Sequence, residues 1–371
     1  MKVFSDIYRN KRVLITGNTG FKGSWLSIWL NSLGADVYGI SNEIPTNPSM
    51  FKELKLEKIT THFKADVRDY LTIKKIIKDV KPDFLFHMAA QAIVATSYTD
   101  PVNTITTNVI GTTNILEILK DLNQKCTSII VTSDKCYDNV EWVWGYKESD
   151  AVGGQDIYSG SKGAAELIFK SYYHSFFKNI EKSNVRVCSV RAGNVIGGGD
   201  WAEYRIVPDC IRAWVEGDSV EIRSPKATRP WQHVLEPLSG YLTIAQKLEE
   251  DINYNGESFN FGPNAEYNKT VKELLDDLSN NWKLKQEPSF LSEETSEFHE
   301  AGLLKLNCDK ALFYLKWLPT LDYDKLIDFT SSWYYNFYNS KTNMFKFTQN
   351  QIQEYEKIAK LNDIEWTKTK Y

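Results

Sequence analysis

The residues best able to do chemistry lie between Thr132 and Lys162. Tyr158 and Lys162 are four positions apart, which on a helix places their Cβ atoms side by side on one face. A free phenol ionises near pH ~10 and is a poor base at neutral pH. An ammonium held beside it favours the phenolate and makes it a usable proton acceptor. Upstream, a strand-like run, Ser128–Val131, leads into Ser133-Asp134-Lys135. The serine can hydrogen-bond a substrate hydroxyl, the aspartate offers an acid, and the lysine a second titratable group. Tyr-x-x-x-Lys alone is also a common surface pair, so its meaning depends on what the rest of the chain builds around it.

The positioning elements begin with Lys11–Thr16, a short apolar strand. It runs into Gly17-Asn18-Thr19-Gly20-Phe21-Lys22-Gly23 and then a helix with Trp25, Ile28, Trp29 and Leu33 on one stripe, stopped by Gly34. A glycine-rich turn between a strand and a helix N-terminus lets backbone approach a pyrophosphate, whose charge the free N–H groups and helix dipole hold. The second strand, Asp36–Ser41, ends where a ribose 2′-hydroxyl is read. Ser41-Asn42-Glu43 offers no arginine for a 2′-phosphate, which favours NAD over NADP. Phe63–Asp66 is a third strand. Asp66-Val67 at its end can read adenine, and Asp66 can equally cap the helix Leu71–Val80. Asp83–Ala90 is a fourth strand that closes on Ala89-Ala90, small enough for a dinucleotide to approach; His87 within it is expected to be a satisfied core histidine. A long helix runs from Pro101 through Asn108 and Gly111 to Leu122. A fifth strand (Ser128–Ser133), a helix (Ile157–Phe177) and a sixth strand (Val185–Val190) follow. This alternation predicts an α/β fold, a doubly wound parallel Rossmann sheet with a smaller α/β substrate-binding domain. Ligands bind such sheets beyond the carboxyl ends of the strands, where Gly17, Asp66, Ala89-Ala90 and Ser133-Asp134 all fall.

A chain of 371 residues exceeds what one core usually serves. The expected division is a dinucleotide-binding Rossmann domain at 1–190, rejoined by 235–262, a substrate-binding domain at 191–340, and a polar tail at 341–371 without an assigned role. The net charge of -4 provides no general attraction to nucleic acid or an anionic membrane. No apolar run approaches the ~20 residues of a membrane span, and Met1–Asp6 lacks the apolar segment of a secretory signal. A cytoplasmic protein with neither nucleic-acid nor membrane partners is expected. The five cysteines are widely spaced, without Cys-x-x-Cys or Cys/His metal spacing, and are expected as reduced thiols with no metal. In the second half, Gly197-Gly198-Gly199 either reaches a phosphate or merely bends the chain. Asn194, Trp201, Arg205 and Arg229 lie beside such turns; a guanidinium forks onto pyrophosphate and an indole stacks on a base. Leu235–Leu248, Thr270–Trp282 and Leu326–Tyr338 read as helices and Phe259–Pro263 as a strand and turn.

Together, Thr16-Gly17-x-x-Gly20-x-x-Gly23, Asp66-Val67, Ala89-Ala90, Ser133 and Tyr158-x-x-x-Lys162 resemble the extended short-chain dehydrogenase/reductase family, over roughly residues 8–340. Asp134 directly after Ser133 resembles its nucleotide-sugar 4,6-dehydratase branch. Thr132–Asn139, Glu141–Tyr146, Arg191–Trp201 and Arg229–Pro237 are most similar to the CDP-glucose 4,6-dehydratases, and Phe298–Ala301 leading to Leu306–Lys310 resembles the family's late substrate segment. The resemblance implies an NAD-dependent lyase acting on a CDP-sugar, in which C4 oxidation, C5/C6 elimination and hydride return to C6 yield CDP-4-keto-6-deoxyglucose and water, for deoxysugar synthesis. It implies Ser133, Asp134, Lys135, Tyr158 and Lys162 as catalytic. It implies Gly17, Thr19, Gly20, Phe21, Gly23, Asp66, Val67, Ala89, Ala90 and Asn108, with Tyr158 and Lys162, as cofactor contacts. Asn194 and Arg229 become pyrophosphate contacts, with Trp201, Arg205 and His233 as further substrate contacts. In dehydratases acting on dTDP-glucose an Asp-Glu pair stands here, the glutamate taking the C5 proton; this chain has Asp134-Lys135, so that role stays open. The helices Pro101–Leu122 and Ile157–Phe177 resemble those that pair in family homodimers, although their apolar faces also fit a core against the sheet. Two other functions compete. A 4-epimerase would share the cofactor chemistry without dehydration, and Asp134 argues against it. A non-catalytic dinucleotide sensor would not need Ser133, Asp134, Tyr158 and Lys162 together.

Overall fold

The computed structural model describes residues 2–222, 225–264, 269–282, 290–292 and 303–368. Seven parallel strands form its main sheet: β1 (Arg12–Thr16), β2 (Asp36–Ser41), β3 (Thr60–Lys64), β4 (Phe84–His87), β5 (Cys126–Val131), β6 (Val185–Ala192) and β7 (Ser258–Phe261), in the order β7-β6-β5-β4-β1-β2-β3. Successive residues of a strand face opposite sides. Val13, Ile15, Phe84 and Phe86 therefore enter one core, and Leu14 and Leu85 the other. Covered on both faces, these strands are continuous apolar runs rather than alternating ones. The winding reverses between β1 and β4, where Thr16 lies level with both Ile40 and His87. That reversal opens the ligand crevice of such sheets.

Nine helices matter to the site: α1 (Phe21–Ser32), α2 (Tyr70–Val80), α3 (Pro101–Ile105, continuing through a π-turn at Thr106–Ile110 into Gly111–Lys120), α4 (Ile157–Tyr172), α5 (Ile206–Glu216), α6 (Leu235–Glu250), α7 (Val271–Trp282), α8 (Tyr323–Asn339) and α9 (Met344–Leu361). One core gathers Ile73, Ile77, Leu116 and Phe169 from α2, α3 and α4. The other takes α1 and α6 and continues without a break through α8 to α5 and α7. Short strand pairs, Val195–Ile196 with Gln232–His233 and Thr228–Arg229 with Lys269–Thr270, shape the smaller lobe. None of the helices among the described residues is long and apolar enough to cross a membrane.

The segment beyond 341 is not a loose polar end. Its helix α9 lies on α1 and α8: Trp29 donates to Glu356 at 2.8 Å and the Tyr355 hydroxyl to Glu236 at 2.8 Å. Beyond it Trp366 stacks on Phe4 at 4.8 Å and on Tyr355 at 5.8 Å. Burying so much aromatic surface stabilises the fold by about 2–3 kcal/mol for the Trp366 side chain alone. Phe298–Ala301 lies outside the described residues.

Candidate active site

At the end of β1 the chain turns through Gly17, whose φ is +78°, a conformation glycine adopts at little cost. There is no room for a Cβ at its first and last glycines: one on Gly23 would stand 2.1 Å from the Gly17 carbonyl oxygen, and one on Gly17 2.9 Å from the Ala89 nitrogen. Turn, helix and the Ala89 strand end are thus in backbone contact. Gly20 is the N-cap of α1 and brings no capping side chain, so the first-turn N–H groups stay available to an anion. These features fit a dinucleotide pyrophosphate. Phe21 begins the helix and borders the cavity described below. Ala90 follows Ala89, whose N–H donates to the Thr16 hydroxyl at 3.1 Å. That hydroxyl in turn donates to His87 Nδ1 at 2.8 Å, while His87 Nε2 faces Thr112 at 3.0 Å, so the histidine is a satisfied core group.

Four expected cofactor residues are engaged with the protein. The Thr19 hydroxyl donates to the Glu43 carbonyl at 2.7 Å. Asn108, buried in the π-turn of α3, accepts from the Gln91 N–H at 2.9 Å and donates to the Gln91 carbonyl at 3.0 Å and to Ser161 at 2.9 Å. It positions the segment after Ala90 against α4. Asp66 pairs with the Arg68 guanidinium, whose hydrogen bonds hold its carboxyl below the ordinary range. Asp69, not Asp66, caps α2. Val67 packs on Gly111, where a Cβ would be 2.7 Å from its methyl group.

The catalytic candidates converge one strand away. Asp156 caps α4 by accepting from the Ser159 N–H at 2.9 Å. The helix therefore starts at Ile157 and turns Tyr158, Lys162 and Glu166 onto its buried face. Lys162 Nζ lies 6.0 Å from the Tyr158 ring centroid. Burial pushes the phenol up to about 12, opposed by a hydrogen bond from Ser133, and pulls the Lys162 ammonium down to about 8. After β5, Ser133 caps a short turn, Asp134–Cys136. Its hydroxyl donates to Asp134 Oδ1 at 2.9 Å, which also accepts from the Lys135 N–H at 2.9 Å. Burial raises the Asp134 carboxyl above its usual range despite the nearby charges of Lys135 and Lys22. The other side of that carboxyl faces Gly193, where a Cβ would stand 2.0 Å from Oδ2. Gln232 fixes Gly193 by donating to its carbonyl at 2.9 Å.

Ser133, Asp134, Lys135 and Tyr158 line a cavity of about 340 Å³ that Asn194, Arg205 and Arg229 line as well. Arg205 donates to Asp200 at 2.8 Å. Trp201 and His233, expected to contact substrate, lie elsewhere. The Trp201 indole N–H donates to the Tyr338 hydroxyl at 2.9 Å, and its ring packs against Trp333. His233 sits between Trp25 and Phe329, kept neutral by burial that lowers it to about 3. The aromatic faces of α1 and α8 claim both rings for the core. The triple-glycine turn bends against Trp333, which a Cβ on Gly198 would meet at 2.0 Å.

Sequence reasoning passed over two features. Glu166 forms a buried ion pair with Arg191 at 2.9 Å and also accepts from Thr132 and Ser189. Arg191 continues to the Tyr137 hydroxyl at 2.6 Å, and Tyr137 to Asn260 at 2.8 Å. This chain of bonds ties β5, α4, β6, β7 and the Asp134 turn into one frame. Its signal was the stripe Tyr158, Lys162, Glu166 at four-residue spacing on an otherwise apolar face. The other is Lys22, on the first turn of α1 and lining the same cavity.

Known proteins agree with this architecture. The family model for GDP-mannose 4,6 dehydratase matches residues 14–330. A CDP-glucose 4,6-dehydratase of Salmonella typhimurium is 46% identical over 316 residues, covering 85% of this chain and 88% of that protein. The dTDP-glucose 4,6-dehydratase of Streptomyces venezuelae, solved with NAD bound, superposes with a TM-score of 0.75 at 18% identity, over 88% of this chain and 97% of that one. An epimerase of Methanothermobacter thermautotrophicus gives a TM-score of 0.76 at 19% identity, over 94% and 96%. The chain belongs to the nucleotide-sugar 4,6-dehydratase branch of the extended short-chain dehydrogenase/reductase family.

Proposed function

We propose that this protein is an NAD-dependent CDP-glucose 4,6-dehydratase that converts CDP-glucose to CDP-4-keto-6-deoxyglucose and water. The observation that carries the dehydratase reading over an epimerase is the Asp134 carboxyl: buried, with a raised pKa, and in one cavity with Ser133 and Tyr158. The 46% identity to a CDP-glucose enzyme supports the nucleotide.

Bound NAD would supply a hydride acceptor for C4, a donor for C6, and a positive charge to the site. Tyr158 takes the O4 proton while Ser133 orients that hydroxyl, and Lys162 stands behind the ring as a cation that favours the phenolate. The 4-keto group acidifies the C5 hydrogen. Asp134 gives its proton to the departing 6-hydroxyl, a task for which a carboxylic acid must stay protonated near neutral pH. Lys135 borders the cavity beside Asp134 and is a candidate for the C5 proton. The Gly17–Gly23 turn and the N-terminus of α1 hold the dinucleotide pyrophosphate; Asn194 and Arg229 hold that of the substrate. A cytoplasmic homodimer fits the exposed Val102, Ile105, Ile110 and Leu167 on α3 and α4.

The test is an assay of the purified protein with CDP-, dTDP-, GDP- and UDP-glucose for 4-keto product. CDP-glucose should be converted without net NADH. Stoichiometric NADH, or a 4-epimer without a keto product, would overturn the reading.

A further inference from the structure

Lys22 brings to the cavity a charge that the steps above leave unused. It is the second residue of α1, and the glycine pattern around it asks nothing of its side chain. The side chain lines the cavity wall, and among the described residues it has neither a hydrogen bond nor an ion pair. The charged groups that act on it are Arg205, Asp134, Lys162 and Asp200. Neither carboxylate is its own partner: Asp200 is held by Arg205 at 2.8 Å, and Asp134 Oδ1 by Ser133 and the Lys135 N–H. Burial, with repulsion from Arg205, pulls the Lys22 ammonium down to about 8. A half-buried cation set near another half-buried cation is costly unless something negative comes between them. The open helix N-terminus beside it adds to the positive field.

We propose that Lys22 is a direct ligand of a diphosphate group bound in this cavity, shared with Arg205. An ammonium is a compact point charge and a guanidinium a planar fork, and a diphosphate has enough oxygens for both. The inference rests on the proposed function for its two sources of diphosphate, the dinucleotide and the nucleotide sugar. The experiment separates them.

Calorimetric titrations of the wild type, Lys22→Met and Lys22→Arg would use NAD alone, and CDP alone on NAD-loaded protein. A charge-assisted hydrogen bond is worth about 1.5–3 kcal/mol, on the order of 10- to 100-fold in affinity. Lys22→Met should lose that much for one of the two ligands, and Lys22→Arg should recover most of it. Loss on NAD assigns the dinucleotide; loss on CDP assigns the substrate.

An anion raises the ammonium's pKa, so wild-type binding at pH 8.5 should take up a proton, seen as heat that varies with the buffer's ionisation enthalpy. Tyr158 and Asp134 also face this space, and uptake due to them would persist in Lys22→Met. Uptake that disappears in that variant belongs to Lys22. Unchanged affinity for both ligands in a folded Lys22→Met or Lys22→Gln protein, or unchanged proton uptake, overturns the proposal. Lys22-dependent binding in a protein that makes no 4-keto sugar would overturn the proposed function and leave this one standing.

Discussion

Gly193→Ala tests whether the position of the Asp134 carboxyl decides the elimination step. Gly193 follows β6, and a methyl group there would lie 2.0 Å from Asp134 Oδ2, 2.6 Å from Cγ and 3.3 Å from Cβ. Carbon and oxygen approach to about 3.3 Å in close contacts, so the carboxyl must retreat by more than ~1 Å. The opposing atoms belong to a side-chain tip rather than to backbone, so the protein can yield there, at a stability cost near the low end of the ~1–3 kcal/mol of overpacking. The acid cannot yield without leaving its place. A shift of that size costs about 100-fold in rate, or ~2.7 kcal/mol of barrier. The assay is kcat for 4-keto-sugar formation beside the transient reduction of bound NAD, which reports C4 oxidation, and urea unfolding for stability. The expected result is kcat lowered about 100-fold, near-normal C4 oxidation so that reduced cofactor accumulates, and a stability loss of about 1 kcal/mol. A kcat within threefold of wild type, or equal slowing of both steps, would refute the assignment of Asp134 as the acid.

Other changes separate chemistry from frame. Tyr158→Phe keeps the ring's packing and removes the proton acceptor; it should retain NAD binding by calorimetry and lose about 10²–10⁴-fold in C4 oxidation. Glu166→Gln leaves Arg191 buried without its counter-charge and should cost about 3–5 kcal/mol in urea unfolding at pH 7. Burial pushes Glu166 up, but Arg191's charge and the hydrogen bonds more than offset it, so its folded carboxyl lies below the ordinary range. Its stabilisation is therefore present above the unfolded value of ~4.3 and lost as pH falls through the folded one; the gap between wild type and variant should narrow on that acid side. Trp366→Ala removes a ring stacked between Phe4 and Tyr355 and should cost about 3–5 kcal/mol without changing the kcat of the folded protein.

What the sequence made legible was local or periodic. The glycine turn declares itself because backbone contact with Ala89 excludes any side chain, and the strand and helix periods place Asp134 and Tyr158 at one sheet edge. Trp201 and His233 show the limit. An indole beside a glycine turn looks the same in sequence whether it faces a nucleobase or Trp333, and only the packing of α8 decides. Helix α9 was hidden for a related reason. Its buried stripe includes Thr348, Gln351 and Glu356, polar groups that hydrogen-bond Trp333, the Phe329 carbonyl and Trp29. Without those distant partners the segment looks like a solvated tail.

The arrangement around Ser133 also bears on how the site returns to its starting state. The proposed reaction is neutral in electrons, and it must be neutral in protons at the residues that take part. Tyr158 gains the O4 proton, and Asp134 loses one to the departing hydroxyl. The Ser133 hydroxyl gives its one proton to Asp134 at 2.9 Å and stands beside Tyr158. In the proposed reaction it would accept from the protonated phenol as it donates to the carboxylate, returning the proton without solvent entering the cavity. Burial favours the protonated form of both groups, so between turnovers the acid is charged with its proton and the base is not yet a base. Ionising Tyr158 needs positive charge beside it; the Arg205 charge acts on the phenol, and Lys162 stands 6.0 Å from its ring. In the proposed mechanism oxidation at C4 would wait on that positive charge, while Asp134 would be ready as soon as the 4-keto group forms. That order keeps the elimination from running ahead of the oxidation that makes it possible.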